Sequence, residues 1–134
     1  MQNRYNRRNR RKYNLKVHIV LVTKYRKALL QNGIDDLVKR AISYLADQNN
    51  WAIIAMETDK GHIHILLEND ATECICDIIS IIKQRTTRWL WTRYRNTLTK
   101  QYWKKHIFGS DGYFACSIGE VSSATIEKYI AEQG

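Results

Sequence analysis

The spacing of apolar residues switches along the chain between the period of a strand and the period of a helix. Four short apolar or alternating runs predict β-strands, because successive side chains of a strand point to opposite faces. Two longer stretches with an apolar residue every three or four positions predict amphipathic helices, and Ser122 or Ser123 is placed to cap a third, short helix. The predicted strands cover residues 15–23, 51–56, 62–68 and 113–118, and the two longer helices cover residues 34–49 and a stretch that begins near Thr72 and ends between residues 90 and 103.

The order of these elements, β-α-β-β-α-β followed by a last helix, constrains the fold class. It predicts an α+β, ferredoxin-like (RRM-like) fold, in which helices cover one face of an antiparallel sheet. The other face of such a sheet is expected to stay open for a ligand. With 134 residues, of which 44% are apolar, the chain is expected to form one domain over residues 13–134, preceded by a basic tail over residues 1–12.

Positive charge is concentrated in two parts of the chain. Lys and Arg outnumber Asp and Glu by 22 to 13, which gives a net charge of +9. Residues 1–12 hold six of these cations and residues 78–110 hold eight, and neither part contains an acid. Phosphate backbones match such charge, and the aromatic residues interleaved with the second group suit stacking on unpaired bases. The alternatives are a solvated or membrane-surface tail, and aromatic residues of which half belong to the core.

The triplet His62-Ile63-His64 lies in the third predicted strand. Residues two apart in a strand project from the same face, so both imidazoles point one way while Ile63, Ile65 and the residues in step with them face the helices. Two neutral nitrogen donors on one face can share a cation. A polar surface pair is the alternative interpretation of the triplet.

Tyr129 and Gln133 are four residues apart in the predicted closing helix, so they share one face of it. A tyrosine oxygen can attack a phosphodiester when a metal neutralises the phosphate charge. A glutamine carbonyl can complete the ligands of that metal without adding negative charge. Alternatively, Tyr129 packs beside Ile126 and Ile130 as an ordinary residue of an amphipathic helix.

The three cysteines, Cys74, Cys76 and Cys116, fit no disulfide framework and favour a reducing cytoplasm. No secretory signal or stretch of membrane-spanning length is recognisable. A zinc site formed by the two histidines with Cys74 and Cys76 is disfavoured. Two residues so close on a predicted helix point about 200° apart, and the spacing fits no structural zinc motif.

Four stretches of the chain together resemble the single-tyrosine HUH transposases of bacterial insertion sequences, the IS200-like family, and the related REP-associated tyrosine transposases. They are HIV with TKYR at residues 18–26, the stretch 57–67 with the histidine triplet, residues 112–119, and residues 126–133. They follow one another in the order found in the family, from about residue 13 onward. This combination makes the resemblance specific where a single stretch would not be.

The resemblance implies a metal-dependent enzyme that cleaves and rejoins single-stranded DNA at the ends of an insertion sequence. It implies that His62, His64 and Gln133 bind Mg²⁺ or Mn²⁺, and that Tyr129 is the catalytic nucleophile that forms a 5′-phosphotyrosine intermediate. It further implies recognition of DNA hairpins by a homodimer, in which the tyrosine helix of one copy is able to complete the histidine site of the other. The expected location is the bacterial or archaeal cytoplasm, at the nucleoid.

One position departs from the family pattern. The residue before the first histidine, often an acid or an amide in the family, is Gly61 here. Asp59 or Glu57 is therefore expected to orient the ring of His62 instead, as carboxylates behind metal ligands often do.

Two other functions compete with a transposase. A replication initiator or relaxase shares the two-histidine chemistry but usually carries its tyrosine in a larger domain, and an RRM-type module would bind single strands without catalysis. For the transposase, several cations and one tyrosine are expected to contact the DNA. The candidates are Lys24, Tyr25, Arg26, Arg85, Arg88, Arg93, Arg95, Lys104 and Lys105.

Overall fold

The computed structural model describes residues 14–70, 72–118, 128, 130 and 131. The predicted basic tail over residues 1–12, the predicted cap at Ser122 or Ser123, and the predicted roles of Tyr129 and Gln133 lie outside the described residues. The three residues described beyond residue 118 are helical.

The described elements follow the predicted order, with one additional short helix before the last strand. The strands are β1 (Asn14–Val22), β2 (Ala52–Thr58), β3 (His62–Asp70) and β4 (Phe114–Ile118), and the helices are α1 (Ile34–Asn49), α2 (Ile75–Arg93) and α3 (Arg95–Gln101). A 3-10 turn, Lys24–Arg26, follows β1. None of the helices in the described part of the chain combines the length and the apolar character needed to cross a bilayer.

The four strands form one sheet in the order β2-β3-β1-β4, and every neighbouring pair is antiparallel. The two central strands, β1 and β3, pair along their whole length, from Asn14 opposite Asp70 to Val22 opposite His62. The end of β1 therefore lies beside the start of β3. The α+β class and the antiparallel sheet are as predicted.

Alternate residues of the two central strands pack against the helices. Ile19 on β1 and Ile65 on β3 are fully buried in one cluster with Ile42 of α1 and Ile82 of α2. Burying each such side chain contributes about 1.5–3 kcal/mol. The cluster extends to Leu98 of α3, so all three helices cover the same face of the sheet.

The second long helix differs from its prediction at its start, whereas its end lies within the predicted range. It begins at Ile75 after Cys74, so the prediction that Thr72 caps it is wrong. The side chain of Glu73 accepts hydrogen bonds from the backbone N–H of Asp70 and from Nε1 of Trp51, which holds this segment outside the helix. At the other end the helix stops at Arg93 and α3 follows as a separate element.

The opposite face of the sheet is not open along its middle, contrary to the prediction. Leu66 and Ile130 are fully buried, and neither belongs to the cluster between the sheet and the helices. His18 and His64, on the same face as Leu66, are 7% and 5% exposed. At the end of the sheet where His62 lies, the side chain on this face is 36% exposed.

Candidate functional site

Asp59 organises the turn between β2 and β3 and the first histidine of β3. Its Oδ1 accepts hydrogen bonds from the backbone N–H groups of Gly61 and His62, each at 3.0 Å. The same oxygen lies 2.7 Å from Nδ1 of His62. Because an ionised carboxylate can only accept hydrogen bonds, Nδ1–H of His62 donates to it, and in a neutral ring the lone pair is then on Nε2. The turn thus presents Nε2 of His62 as a nitrogen ligand.

Of the two acids expected to support His62, the structure assigns the role to Asp59. Glu57 instead pairs with α1, where Nζ of Lys39 lies 3.3 Å from its Oε1. Gly61 leaves no side chain between the carboxylate and the imidazole. A carboxylate three residues before His62 therefore occupies the supporting position.

His64 lies on the same face of β3 as His62 and is buried. Its ring centroid is 5.1 Å from that of His62. Burial lowers the pKa of His64 below the usual 6.5, and positive charge on His62 or His18 lowers it further, whereas Asp59 acts in the opposite direction. The imidazole is therefore neutral at pH 7, which is the form that binds a metal ion.

His18, on β1, is a third imidazole of this face that was not among the predicted site residues. Its Nε2 lies 3.4 Å from Nδ1 of His64, and the two rings stack with their centroids 5.6 Å apart. In register, His18 is opposite Leu66 and so diagonal to His64. A hydrogen bond between these nitrogens, with one ring as donor and the other as acceptor, restrains the ring of His64 from the side away from Nε2. Strand alternation in β1 places His18 on this face, but only the pairing register brings it to His64.

The structure brings together two of the predicted metal ligands, His62 and His64. The predicted third ligand, Gln133, and the predicted nucleophile, Tyr129, are not among the described residues. Within the described ranges, no group of three His, Cys, Asp or Glu side chains is arranged to hold a metal ion. Within the described residues, the two imidazoles are thus a pair of nitrogen donors on one face of β3.

The cysteines do not join the histidines. Cys74 and Cys76 are exposed at the start of α2. The thiol of Cys76 lies 3.4 Å from the hydroxyl of Tyr113, and this contact raises the pKa of Tyr113.

The aromatic residues of the basic stretch divide between the core and the surface. Trp91 and Tyr102 are each 4% exposed, and Trp89 and Tyr94 pack partly against the core. Trp103 is 74% exposed. The alternative that about half of these residues belong to the core is thus correct, and Trp103 is the member that is free to stack on a base.

The predicted nucleic-acid contacts lie in separate places. Lys24, Tyr25, Lys104 and Lys105 line one cleft, whereas Arg88 and Arg95 line a second with His106, which stacks on Trp91. Arg85 and Arg93 lie over the rings of Trp89 and Tyr94. Arg26 is exposed beside Tyr25. Most of the candidate cations therefore line one of two clefts or lie over an aromatic ring.

Known proteins match the chain over nearly its whole length. The family model described as "Transposase IS200 like" matches residues 11–133. The chain is 28% identical to the ISDra2 transposase TnpA of Deinococcus radiodurans over 121 residues, which cover 90% of this chain and 85% of that protein. It is 25% identical over 122 residues to the transposase for insertion sequence element IS200 of Salmonella typhimurium, with coverages of 91% and 78%.

Two solved structures share the fold. A candidate transposase from Deinococcus radiodurans R1 superposes with a TM-score of 0.72 at 26% identity, over 90% of this chain and 92% of that one. A REP-associated tyrosine transposase bound to a REP hairpin superposes with a TM-score of 0.64 over 88% of this chain and 65% of that one. At 12% identity the second likeness shows the fold alone. Together these likenesses confirm the predicted α+β fold class.

Proposed function

Because the chain belongs to the IS200-like transposase family, we propose that it cleaves and rejoins single-stranded DNA through a covalent bond to Tyr129. The observation that carries this proposal is the paired imidazoles of His62 and His64, with Asp59 hydrogen-bonded behind the first. This arrangement is typical of a metal site rather than of a polar surface pair, because both its rings are restrained at Nδ1.

The donor set fits a divalent metal ion. Two nitrogen ligands on one face, one of them in a buried position that favours its neutral form, leave the charge of Mg²⁺ or Mn²⁺ undiminished. Gln133 is the proposed third ligand, and a phosphate oxygen of the DNA completes the site. When bound, the ion would neutralise charge that develops on the scissile phosphate. Affinity for the ion alone is expected to be weak because the protein supplies no anionic ligand.

The chain's own residues carry out the bond exchange. The hydroxyl of Tyr129 loses its proton as its oxygen bonds to phosphorus, the bond from phosphorus to the 3′ oxygen breaks, and that oxygen takes up a proton and leaves as a 3′-hydroxyl. The 5′ end stays attached to Tyr129 as a phosphotyrosine. A second 3′-hydroxyl can then attack the phosphorus and release Tyr129, so the DNA bond is restored without ATP.

The proposed partners are single-stranded DNA with hairpin ends and a second copy of the chain. Support for the hairpin comes from the structural neighbour that is bound to a REP hairpin. Support for the homodimer comes from the chemistry, since a transposase processes two DNA ends while each chain supplies one proposed nucleophile. The Tyr129 helix is proposed to reach the histidines of either copy.

The test is a covalent adduct. Purified protein is mixed with Mg²⁺ and labelled single strands that carry a hairpin beside a randomised stretch, and the products are separated on a denaturing gel. We expect a labelled band at the size of protein plus DNA, which disappears in Tyr129→Phe. The matched control, Tyr113→Phe, removes the hydroxyl of an exposed tyrosine and should retain the band.

Two results would contradict this proposal. Retention of the adduct in Tyr129→Phe would assign the nucleophile to another residue. Binding of the strands without any adduct in the wild-type protein would favour an RRM-type binding module. The match over residues 11–133 favours a transposase over a replication initiator or relaxase.

A further inference from the structure

A cleft of about 330 Å³ opens between the turn after β1 and the segment after α3. Its volume lies within the range of clefts that bind small ligands. Aromatic and cationic side chains make up most of its lining, with one acid at the rim. The lining residues are Lys24, Tyr25, Gln101, Tyr102, Trp103, Lys104, Lys105, Ile107 and Asp111.

Hydrogen bonds hold the two walls of the cleft together. The hydroxyl of Tyr102 donates to the carbonyl of Lys24 at 2.8 Å, and the amide of Lys24 donates to the carbonyl of Phe108 at 2.7 Å. Tyr102 is 4% exposed, and burial together with the nearby ring of Tyr25 raises its pKa to about 12. The cleft therefore has a fixed floor and a fixed spacing between its walls.

The backbone of one wall adopts a conformation that non-glycine residues rarely take. Tyr25 has φ 61° and Arg26 has φ 53°. Holding a bulky residue in the left-handed region is strained, and such residues concentrate at ligand sites. The effect of this turn is to expose 72% of the Tyr25 side chain at the cleft. Packing does not explain the conformation, since the exposed ring buries little surface.

Trp103 provides a second exposed ring at the cleft. It follows directly after Tyr102, yet it points outward and is 74% exposed. Nζ of Lys104 lies 4.9 Å from its ring centroid. An exposed tryptophan beside a cation, in a stretch where other aromatic residues turn into the core, is typical of a surface on which bases stack.

The cleft lies beside the end of the sheet that carries the histidines. Val22, two residues before Lys24, is paired with His62 in the sheet. The amide of Thr23 donates to the carbonyl of Gly61 at 2.9 Å. A strand whose phosphate reached His62 would therefore continue past Tyr25.

We propose that this cleft binds one unpaired nucleotide of the DNA strand that passes the histidines, with its base stacked on Tyr25 or Trp103. This inference rests on the proposed function, because it assumes that the DNA strand runs from the histidines toward the cleft. Lys104 and Lys105 are the proposed phosphate contacts, because Nζ of Lys24 already lies 3.1 Å from Oδ2 of Asp111. Asp111 places a negative charge at the rim, which disfavours a second phosphate there.

The test compares two short DNA strands with equal charge. Wild-type protein is titrated, with fluorescence anisotropy as the readout, against a thymidine strand of about eight nucleotides and against the same strand with abasic residues. A stacked base contributes about 1–3 kcal/mol, so we expect about tenfold tighter binding of the strand with bases. The expected preference is lost in Trp103→Ala or in Tyr25→Asn, which tolerates the left-handed backbone, and is retained in Trp103→Phe.

The matched control is Tyr44→Ala, which removes an exposed aromatic ring on α1 outside the cleft. It should keep the full preference for bases. Circular dichroism verifies that each variant is folded, as expected for changes at exposed side chains. Equal binding of the two strands by the wild-type protein would overturn the proposal, as would equal competition by duplex DNA or a full preference for bases in both Trp103→Ala and Tyr25→Asn.

This test can fail independently of the covalent-adduct test. If the adduct forms but the base preference is absent, the cleft proposal is wrong and the transposase proposal stands. If the preference is present without an adduct, the cleft binds single strands and the catalytic proposal is wrong.

Discussion

The two faces of strand β3 differ in what surrounds them, although their residues alternate one by one. Ile63, Ile65 and Leu67 are at most 3% exposed in the cluster under the helices. On the other face, exposure rises from His64 at 5% to the side chain of His62 at 36%, toward the end of the strand. Along β3 the first face stays buried, whereas the second becomes partly exposed at both ends, at His62 and at Glu68.

This difference separates stability from chemistry within a single strand. Apolar side chains on the helical face supply the free energy of folding, while His62 and His64 contribute a restrained pair of nitrogen atoms. The rigid strand fixes the positions of both sets. We therefore expect substitutions on the two faces to change different measurements.

The largest expected effect is on the stability of the helical face. Ile65→Ala should lower the free energy of unfolding by about 2–5 kcal/mol, because it leaves a cavity in a fully buried cluster. Chemical denaturation followed by circular dichroism measures this change. Activity per folded molecule should be nearly unchanged. A loss below about 1 kcal/mol would show that this face is less tightly packed than described.

On the opposite face, His62→Ala should lower adduct formation at least about 100-fold, since a lost metal ligand removes several kcal/mol of charge stabilisation. Stability should change by less than about 1 kcal/mol, because the side chain is half-exposed. The control is His106→Ala, an exposed histidine in the second basic cleft. A large loss of stability in His62→Ala with normal adduct formation would show that this face of β3 serves stability rather than chemistry.

A smaller effect on metal binding is expected from Asp59, which is hydrogen-bonded to His62. Asp59→Asn should weaken Mn²⁺ binding in the presence of single-stranded DNA by about 10- to 100-fold, as observed for carboxylates behind metal-bound histidines. Isothermal titration calorimetry measures the affinity. Glu57→Gln is the matched control, since that acid pairs with Lys39 rather than with the histidine. If the two substitutions weaken Mn²⁺ binding equally, then only the net charge around the turn between β2 and β3 affects the affinity.

The smallest expected effect is a pH dependence of stability. Burial lowers the pKa values of His18 and His64 in the folded protein below the usual 6.5. Below about pH 6.5 the unfolded chain therefore binds more protons than the folded chain, so the free energy of unfolding falls as the pH falls. The measurement is denaturation with a chelator present between about pH 8 and about pH 5, where histidines titrate.

The variant with both His18→Gln and His64→Gln should show a weaker dependence on pH. His106→Gln, an exposed control, should keep the dependence of the wild-type protein. Stability that rises as the pH falls in this range would contradict the direction of the two pKa shifts.

Local patterns predicted most of the fold, and contacts between distant residues explain the errors. Apolar runs and alternation located all four strands, with ends that differ by two residues or fewer. The sequence pattern did not show that Glu73 accepts a hydrogen bond from Trp51 on another segment. This contact explains why α2 begins later than predicted. The break between α2 and α3 after Arg93 was also not predicted. Here the hydroxyl of Tyr94 lies against Gly33, which has a φ of 97°.

The histidine site was also predictable only in part. Strand alternation placed His62 and His64 together, and the polar turn before them offered Asp59 and Glu57 as partners. The choice of Asp59 depends on the shape of the turn, in which one oxygen accepts from two backbone amides. The contribution of His18 depends on the register between β1 and β3, which no pattern within either strand contains.

The most direct test of the central claim is to map Mn²⁺ on the protein by NMR. Histidines labelled with ¹⁵N are observed while Mn²⁺ is added together with single-stranded DNA, because bound Mn²⁺ broadens nearby resonances even when affinity is weak. We predict that the signals of His62 and His64 broaden first and that the signal of His106 stays sharp. Simultaneous broadening of all three, or sharp signals from His62 and His64 while another part of the protein broadens, would contradict a metal site at the end of β3.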